Sequence, residues 1–276
     1  MGNLFRSLMQ SLWLRASRIR WPETNLKVVH SRINEYDLLV LANEDVGRAI
    51  YFGGSYEPDE TKYLRRVIGC DAVCVDVGAN VGYFTMLMAQ AASGGSVHAF
   101  EPIPLNAALL RASIELNGFK NIRLNQSAVG DSEGVVSFSQ SSDSAYSSIH
   151  DTERKPLDRT FDVPVITLDG YLDREGIERV DVLKADVEGA EGLVVAGAAR
   201  LLSDERRRPQ VIMLELFDQN LQAFDSSVKI VTENMETFGY KPFIVNEEGE
   251  MVPFTDELKA RYYNVLFIQS RMQGNP

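Results

Sequence analysis

Apolar residues alternate between two periods along most of this chain. Short runs such as V-C-V-D-V at 73–77, S-V-H-A-F at 96–100 and V-I-M-L-E at 211–215 read as buried strands. Between them lie stretches with helical spacing, at 57–69, 83–92, 105–117, 190–202 and 226–238. Gly118 and Gly239 stand where C-caps are expected. Further strands are expected at 122–128, 180–185, 240–245 and 263–268. Apolar strands alternating with helices predict an α/β fold, a parallel sheet covered on both faces. Ligands of such sheets lie beyond the carboxyl ends of the strands. Residues 26–52 (L-K-V-V-H, Y-D-L-L-V-L, A-I-Y-F) read as short strands, a small β lead-in. The Ser- and Asp-rich stretch 131–165 interrupts the alternation and reads as a loop or hairpin. The organisation expected is a basic amphipathic helix at 1–22, the β-rich lead-in at 23–56, and one α/β domain at 57–276.

Residues 1–21 carry Arg6, Arg15, Arg18 and Arg20 and no acid. Leu4, Phe5, Leu8, Met9, Leu12, Ala16 and Ile19 fall on one helical face. Such a helix either lies on an anionic membrane surface or packs on its own domain. No apolar run is long enough for a membrane span or a signal-peptide core. The expected location is cytoplasmic, with peripheral contact on the inner face of a membrane through residues 1–21 as one option.

Composition narrows the function. Among 276 residues, 28 Lys+Arg against 39 Asp+Glu leave a net charge of −11, which argues against a nucleic-acid partner. If the run around Cys74 is extended, Cys70 lies roughly 13 Å from it, too far for a disulfide. Three scattered histidines give no zinc spacing.

The sharpest signal is V-D-V-G-A-N-V-G-Y-F at 75–84, a strand, turn and helix start. It resembles a dinucleotide fingerprint, but Asn80 replaces the second glycine, and Asp76 brings a carboxylate that repels a diphosphate. A ligand with a cationic amino-acid end suits this turn better, and S-adenosylmethionine (SAM) is one. Glu101 ends the next strand 23 residues after Gly78, where an acid bridges ribose hydroxyls. In K-A-D-V-E-G, period two places Lys184, Asp186 and Glu188 on one face if the strand continues that far. Glu215 ends the following strand, so Asp186 and Glu215 are expected as neighbours. A structural reading stays open: Lys184 and Asp186 as an ion pair, Glu188 as a helix cap.

V-D-V-G-A-N-V-G-Y-F-T, F-E-P, S-A-V-G-D, I-T-L-D, D-V-L-K-A-D-V-E-G-A-E and L-E-L-F together resemble the FkbM family of SAM-dependent methyltransferases. D-V-E-G at 186–189 is the most diagnostic part, and the resemblance covers roughly 55–270. It implies a Rossmann-like class I methyltransferase fold, a seven-stranded mostly parallel sheet with the last strand antiparallel. It also implies methyl transfer to a hydroxyl of a sugar, glycolipid, polyketide or related natural product. On the resemblance, Asp76, Gly78, Asn80, Gly82, Tyr83 and Phe84 form the SAM turn. Glu101 is the ribose acid, Ser127 and Ala128 lie near adenine, and the Tyr56–Glu57 pair, with Glu57 on the cofactor side, matches a further feature. Asp186, Glu188, Lys184 and His150 are the catalytic candidates. Metal-free chemistry is expected, because D-V-E-G lacks the acid-rich run of a dedicated metal cage. If an ion such as Mg²⁺ is used, Asp186 and Glu215 are its candidate ligands. Two other readings remain, a catalytically silent SAM-fold adaptor at a membrane and an NAD(P)-dependent oxidoreductase.

Overall fold

The computed structural model describes residues 28–33, 36–141, 157–246, 248–255, 257–258 and 263–269. The basic segment 1–21 and His150 lie outside the described residues.

A hairpin of β1 (Val28–Ile33) and β2 (Tyr36–Leu41) is followed by α1 (Asp45–Gly53) and α2 (Pro58–Val67). The α/β core then runs β3 (Val73–Val77), α3 (Tyr83–Ala91), β4 (Ser96–Phe100), α4 (Pro104–Asn117) and β5 (Ile122–Asn125). A separate three-stranded sheet holds β6 (Ala128–Val129), β7 (Gly134–Ser141) and β8 (Leu157–Ile166). The core resumes with α5 (Leu168–Arg174), β9 (Val182–Ala185), α6 (Glu191–Gly197), α7 (Ala199–Ser203) and β10 (Val211–Glu215). It closes with α8 (Asp218–Gln222), α9 (Val228–Thr237), β11 (Tyr240–Val245), β12 (Met251–Pro253) and β13 (Asn264–Gln269).

The main sheet has the order β12-β11-β13-β10-β9-β3-β4-β5. The strands from β5 through β10 are parallel, and β13 runs antiparallel to both β10 and β11. This is the expected architecture of seven strands with the last one antiparallel. The short β12 adds an eighth strand at the edge, antiparallel to β11. Three residues with little burial carry no pattern that the sequence reveals. Residues 131–165 form the β7–β8 hairpin at both their ends.

Alternation along each strand feeds two cores. Cys74, Val97, Val182 and Met213 pack on one face with Leu64, Leu87 and Leu110 from α2, α3 and α4. Val75, Val77, Leu183 and Leu214 pack on the other with Leu172, Val194 and Val231 from α5, α6 and α9. The first of these faces also carries Asp76 and Lys184, since both lie two positions from a residue of that core.

One expected strand is a helix. Ala49, Ile50, Tyr51 and Phe52 belong to α1, where only Ile50 of the four is buried and Tyr51 and Phe52 are exposed. Four apolar residues in a row carry no period, so the step from Gly47 to Ile50 was not visible in them. The lead-in is tied to the core by polar groups. The Asn117 amide on α4 accepts from Asp37 N (2.8 Å) and donates to Asp37 O (2.7 Å), and the Ser113 hydroxyl accepts from Leu39 N (3.0 Å). Helix side chains thus complete the outer edge of β2, and the Tyr36 hydroxyl donates to Tyr83 O (3.3 Å) at the start of α3.

Asn117→Ala leaves two backbone groups of Asp37 without these partners. It is expected to lower stability by about 1–3 kcal/mol, read as an earlier urea midpoint with an unchanged slope.

Candidate active site

The turn after β3 is held from three directions. Gly78 N and Ala79 N donate to Phe100 O at the end of β4 (2.9 and 3.0 Å). Glu101 accepts from Asn80 N at one oxygen (2.7 Å) and from Ile103 N at the other (2.8 Å), so its carboxylate clamps the loops after β3 and β4 together. Burial pushes Glu101 up to about 7, although the two backbone N–H groups pull the other way. Gly78 has φ +75°, and a Cβ there would sit 1.8 Å from Asp186 O. The first glycine of the turn is therefore required by the end of β9 as well as by its own backbone. The turn after β3 and the D-V-E-G segment are in contact.

Asp76 is fully buried. One of its oxygens accepts from the Thr85 hydroxyl (2.5 Å), and the other has no hydrogen-bond partner and faces Lys184 Nζ at 3.9 Å. Burial raises its carboxyl above the ordinary range, against the opposing pull of Lys184 and Thr85. Lys184, only 3% exposed, also reaches Asp186 Oδ2 at 3.3 Å and sits 5.2 Å above the Phe84 ring. Burial disfavours its charge, but the carboxylates of Asp186, Asp76 and Glu57 outweigh that and hold the ammonium protonated. The ion pair between Lys184 and Asp186 is thus present, and Asp76 belongs to it.

The strand β9 ends at Ala185, so the period-two argument does not reach Asp186 and Glu188. They come together through a turn instead. Glu188 has φ 55° and accepts from the Asn220 amide (2.5 Å). It does not cap the next helix. The helix starts at Glu191 with Ala190 at its N-cap and no side-chain cap; the buried Glu191 instead braces the turn before it, its Oε1 accepting from Val187 N (2.9 Å) and Gly189 N (3.4 Å). Burial raises Glu191 to about 7. Asp186, Glu188 and Glu215 each bring one carboxylate oxygen within 4.8 Å of the others. Glu215 lies on the same face of β10 as Met213, the residue paired with Lys184. Burial, then Asp186, Glu188, Glu191 and Glu57, push its carboxyl well above the usual range.

Glu57 joins this group rather than the β3 turn alone. It stands at the N-cap position of α2 with φ 42° and no side-chain cap bond, and burial followed by Asp186 and Glu60 raises it to about 7. The Tyr56 hydroxyl is raised by burial and by Glu57, Asp186, Glu215 and Glu188, which keeps it a neutral donor over the acids. Among the described residues, four non-glycines have positive φ, and Glu57, Asn80 and Glu188 are three of them. Strain of this kind concentrates where the surrounding structure holds a functional geometry.

On the β4–β5 side, Ser127 Oγ is buried without a partner, and the buried Asn106 amide faces Glu101 and favours its ionised form. Ala128 is buried beside Ser127. Tyr83 and Phe84 are buried and meet edge to face at 5.4 Å. Glu191, Asn106 and Asn220 had no signal in the sequence, because each acts across contacts or turns that spacing does not encode.

A sequence profile described as the methyltransferase FkbM domain matches residues 76–242. The 2-O-methyltransferase NoeI of Sinorhizobium fredii is 26% identical over 182 residues, 61% of this chain and 72% of that protein. The 31-O-demethyl-FK506 methyltransferase FkbM of Streptomyces tacrolimicus is 31% identical over 153 residues, 45% of this chain and 58% of that protein. A crystal structure of an O-methyltransferase from Bacillus cereus in complex with SAH is 14% identical, with a TM-score of 0.42, over 78% of this chain and 83% of that one.

Gly78→Ala forces a Cβ onto Asp186 O and is expected to cost more than about 3 kcal/mol. Gly54→Ala, at a similar φ of +72° but with open space around it, should cost about 1 kcal/mol. Urea unfolding of the two variants separates close contact from backbone strain.

Proposed function

The chain belongs to the methyltransferase FkbM domain family, and from that premise we propose that it transfers a methyl group from SAM to a hydroxyl of a sugar, glycolipid, polyketide or related natural product. Two relatives support the oxygen as target, since their names describe O-methylation.

The residues present fit SAM. Glu101 keeps a free lone pair on each oxygen for ribose hydroxyls. The buried, unpartnered Ser127 Oγ offers a donor and an acceptor just beyond β5. Asp76 Oδ1 is an acceptor without a donor beneath the turn. When bound, SAM supplies a sulfonium-activated methyl group. The chain's own part is to position the acceptor oxygen and accept its proton. In the transfer the S–CH₃ bond breaks, an O–CH₃ bond forms, and the hydroxyl proton passes to a carboxylate. The carboxylates of Asp186, Glu188, Glu215 and Glu57 surround the place where that proton is released. Glu57, at about 7, titrates where a base works at neutral pH. Lys184 orients Asp186 through their ion pair and does not lose its proton. The observation that carries the reading is the contact between the SAM turn and the acid cluster at Gly78 and Asp186. It supports the reading because the turn assigned to the methyl donor then abuts the backbone of Asp186, the residue proposed to take the proton.

Incubation of the protein with methyl-labelled SAM and a panel of hydroxylated acceptors should yield a methyl ether and S-adenosylhomocysteine. NAD(P) binding without SAM binding would instead support an oxidoreductase, and SAM binding with no turnover on any acceptor an adaptor. Asp186→Asn should lower kcat by roughly 10²-fold while SAM affinity changes little.

Ribose hydroxyls donate to Glu101 and so favour its ionised form. With the free carboxyl at about 7, SAM affinity should rise by about tenfold between pH 6 and pH 8. Calorimetry across that range checks the sign. Affinity falling with pH, or flat, would remove Glu101 from the ribose site.

A further inference from the structure

The acid cluster at the ends of β9 and β10 holds more oxygen acceptors than the protein satisfies. Asp186, Glu188 and Glu215 present three carboxylate oxygens within 4.8 Å of one another. Oxygens bound to one divalent ion at roughly 2.0–2.6 Å lie at most about 4–5 Å apart, so this spacing matches a shared ion.

A second observation points the same way. Asn220 is 1% exposed and its amide nitrogen is bonded to Glu188, yet its amide oxygen has no partner. Glu191 is 0% exposed, interacts electrostatically with Asp186 and Glu215, and its Oε2 has no partner. Oε2 of Glu215 and Oε2 of Glu57 are buried and unpartnered too. Every one of these orphaned atoms is an acceptor. An unmet acceptor in a dry site is costly, and a cation meets several at once. Lys184 is already committed to Asp76 and Asp186.

We propose that Asp186, Glu188 and Glu215 bind a hard divalent cation of the Mg²⁺ or Mn²⁺ class, with the Asn220 amide oxygen as a further or water-mediated ligand. The ligand set is all oxygen, with no cysteine or histidine, which disfavours zinc and copper. Three carboxylates leave coordination positions for oxygens of the acceptor. The ion would therefore select acceptors that offer two adjacent oxygens, such as a vicinal diol. This deepens the methyl-transfer reading and rests on it for the acceptor, but not for the ion itself; with Asp186, Glu188 and Glu215 holding the ion, Glu57 is the carboxylate left to take the acceptor proton. It also shifts the balance from the metal-free expectation of the sequence, where only Asp186 and Glu215 were candidates.

The test is Mn²⁺ binding to the full chain without acceptor, followed by electron paramagnetic resonance, with SAM affinity measured in parallel. The wild-type protein should bind about one Mn²⁺ per chain, displaced by excess Mg²⁺. Glu215→Gln and Glu188→Gln should each weaken binding by at least tenfold, while Glu236→Gln, at an exposed helix position, should not. SAM affinity should stay within about twofold in all of them. If Mn²⁺ does not bind, or binds equally well to both cluster variants, the orphaned oxygens are satisfied by protons and the proposal is wrong. Should Glu215→Gln fail to fold, Glu188→Gln decides alone. Loss of SAM binding in the wild type would overturn the methyl-transfer reading and leave the ion to be judged on Mn²⁺ alone.

Discussion

A single buried ammonium organises the site. Lys184 lies on β9 directly beside Asp76 on β3, and its Nζ lies 3.9 Å from Asp76 and 3.3 Å from Asp186. Placing a lysine where 3% of it meets water is unfavourable unless its charge is matched. Asp76 on β3 and Asp186, just past the end of β9, supply that match. The turn after β3 and the turn after β9 are thereby held in one geometry, and the close approach of Gly78 to Asp186 O follows from it. Thr85 on α3 bonds the same Asp76 carboxylate, which fixes where the helix after the turn begins.

The electrostatics have a consequence for turnover. Asp76, Asp186 and Glu57 act on one lysine, Glu188 and Glu215 cluster with Asp186, and Glu101 lies close enough to Asp76 to feel its charge. SAM carries a sulfonium and an ammonium, whereas the product S-adenosylhomocysteine has lost the sulfonium charge. On the methyl-transfer reading, an acid-rich site favours the cofactor over its product without any change of shape. Burial first, and neighbouring carboxylates after it, raise Glu57, Glu101 and Glu191 to about 7. A neutral acceptor hydroxyl enters a region already prepared to take up a proton.

Much of this was legible in the sequence because it is local. The strands of the sheet, the helix at Tyr83–Ala91 and the turn between Val77 and Tyr83 follow from period and from glycine placement within a few residues. The adjacency of Asp186 and Glu215 follows from both residues standing at the ends of neighbouring parallel strands. What the sequence hid is nonlocal or without period. The bond from Asn220 to Glu188 spans 32 positions, and nothing in either neighbourhood announces it. Glu188 does not cap the next helix because the backbone turns left-handed there and the helix starts only at Glu191, which a one-dimensional pattern does not record. Ala49–Phe52 reads as a strand by composition and is a helix because Ile50 alone of the four finds the core.

The central claim is that Lys184 holds the turn after β3 and the acid cluster together by charge. It is tested most directly by urea unfolding of Lys184→Met and of the double variant Lys184→Met/Asp76→Asn. The single variant leaves Asp76 buried without its counter-charge and should lose about 3–5 kcal/mol. Neutralising Asp76 as well should return a substantial part of that loss. A single variant as stable as the wild type, or a double variant whose loss is the plain sum of the two single ones, would contradict the account.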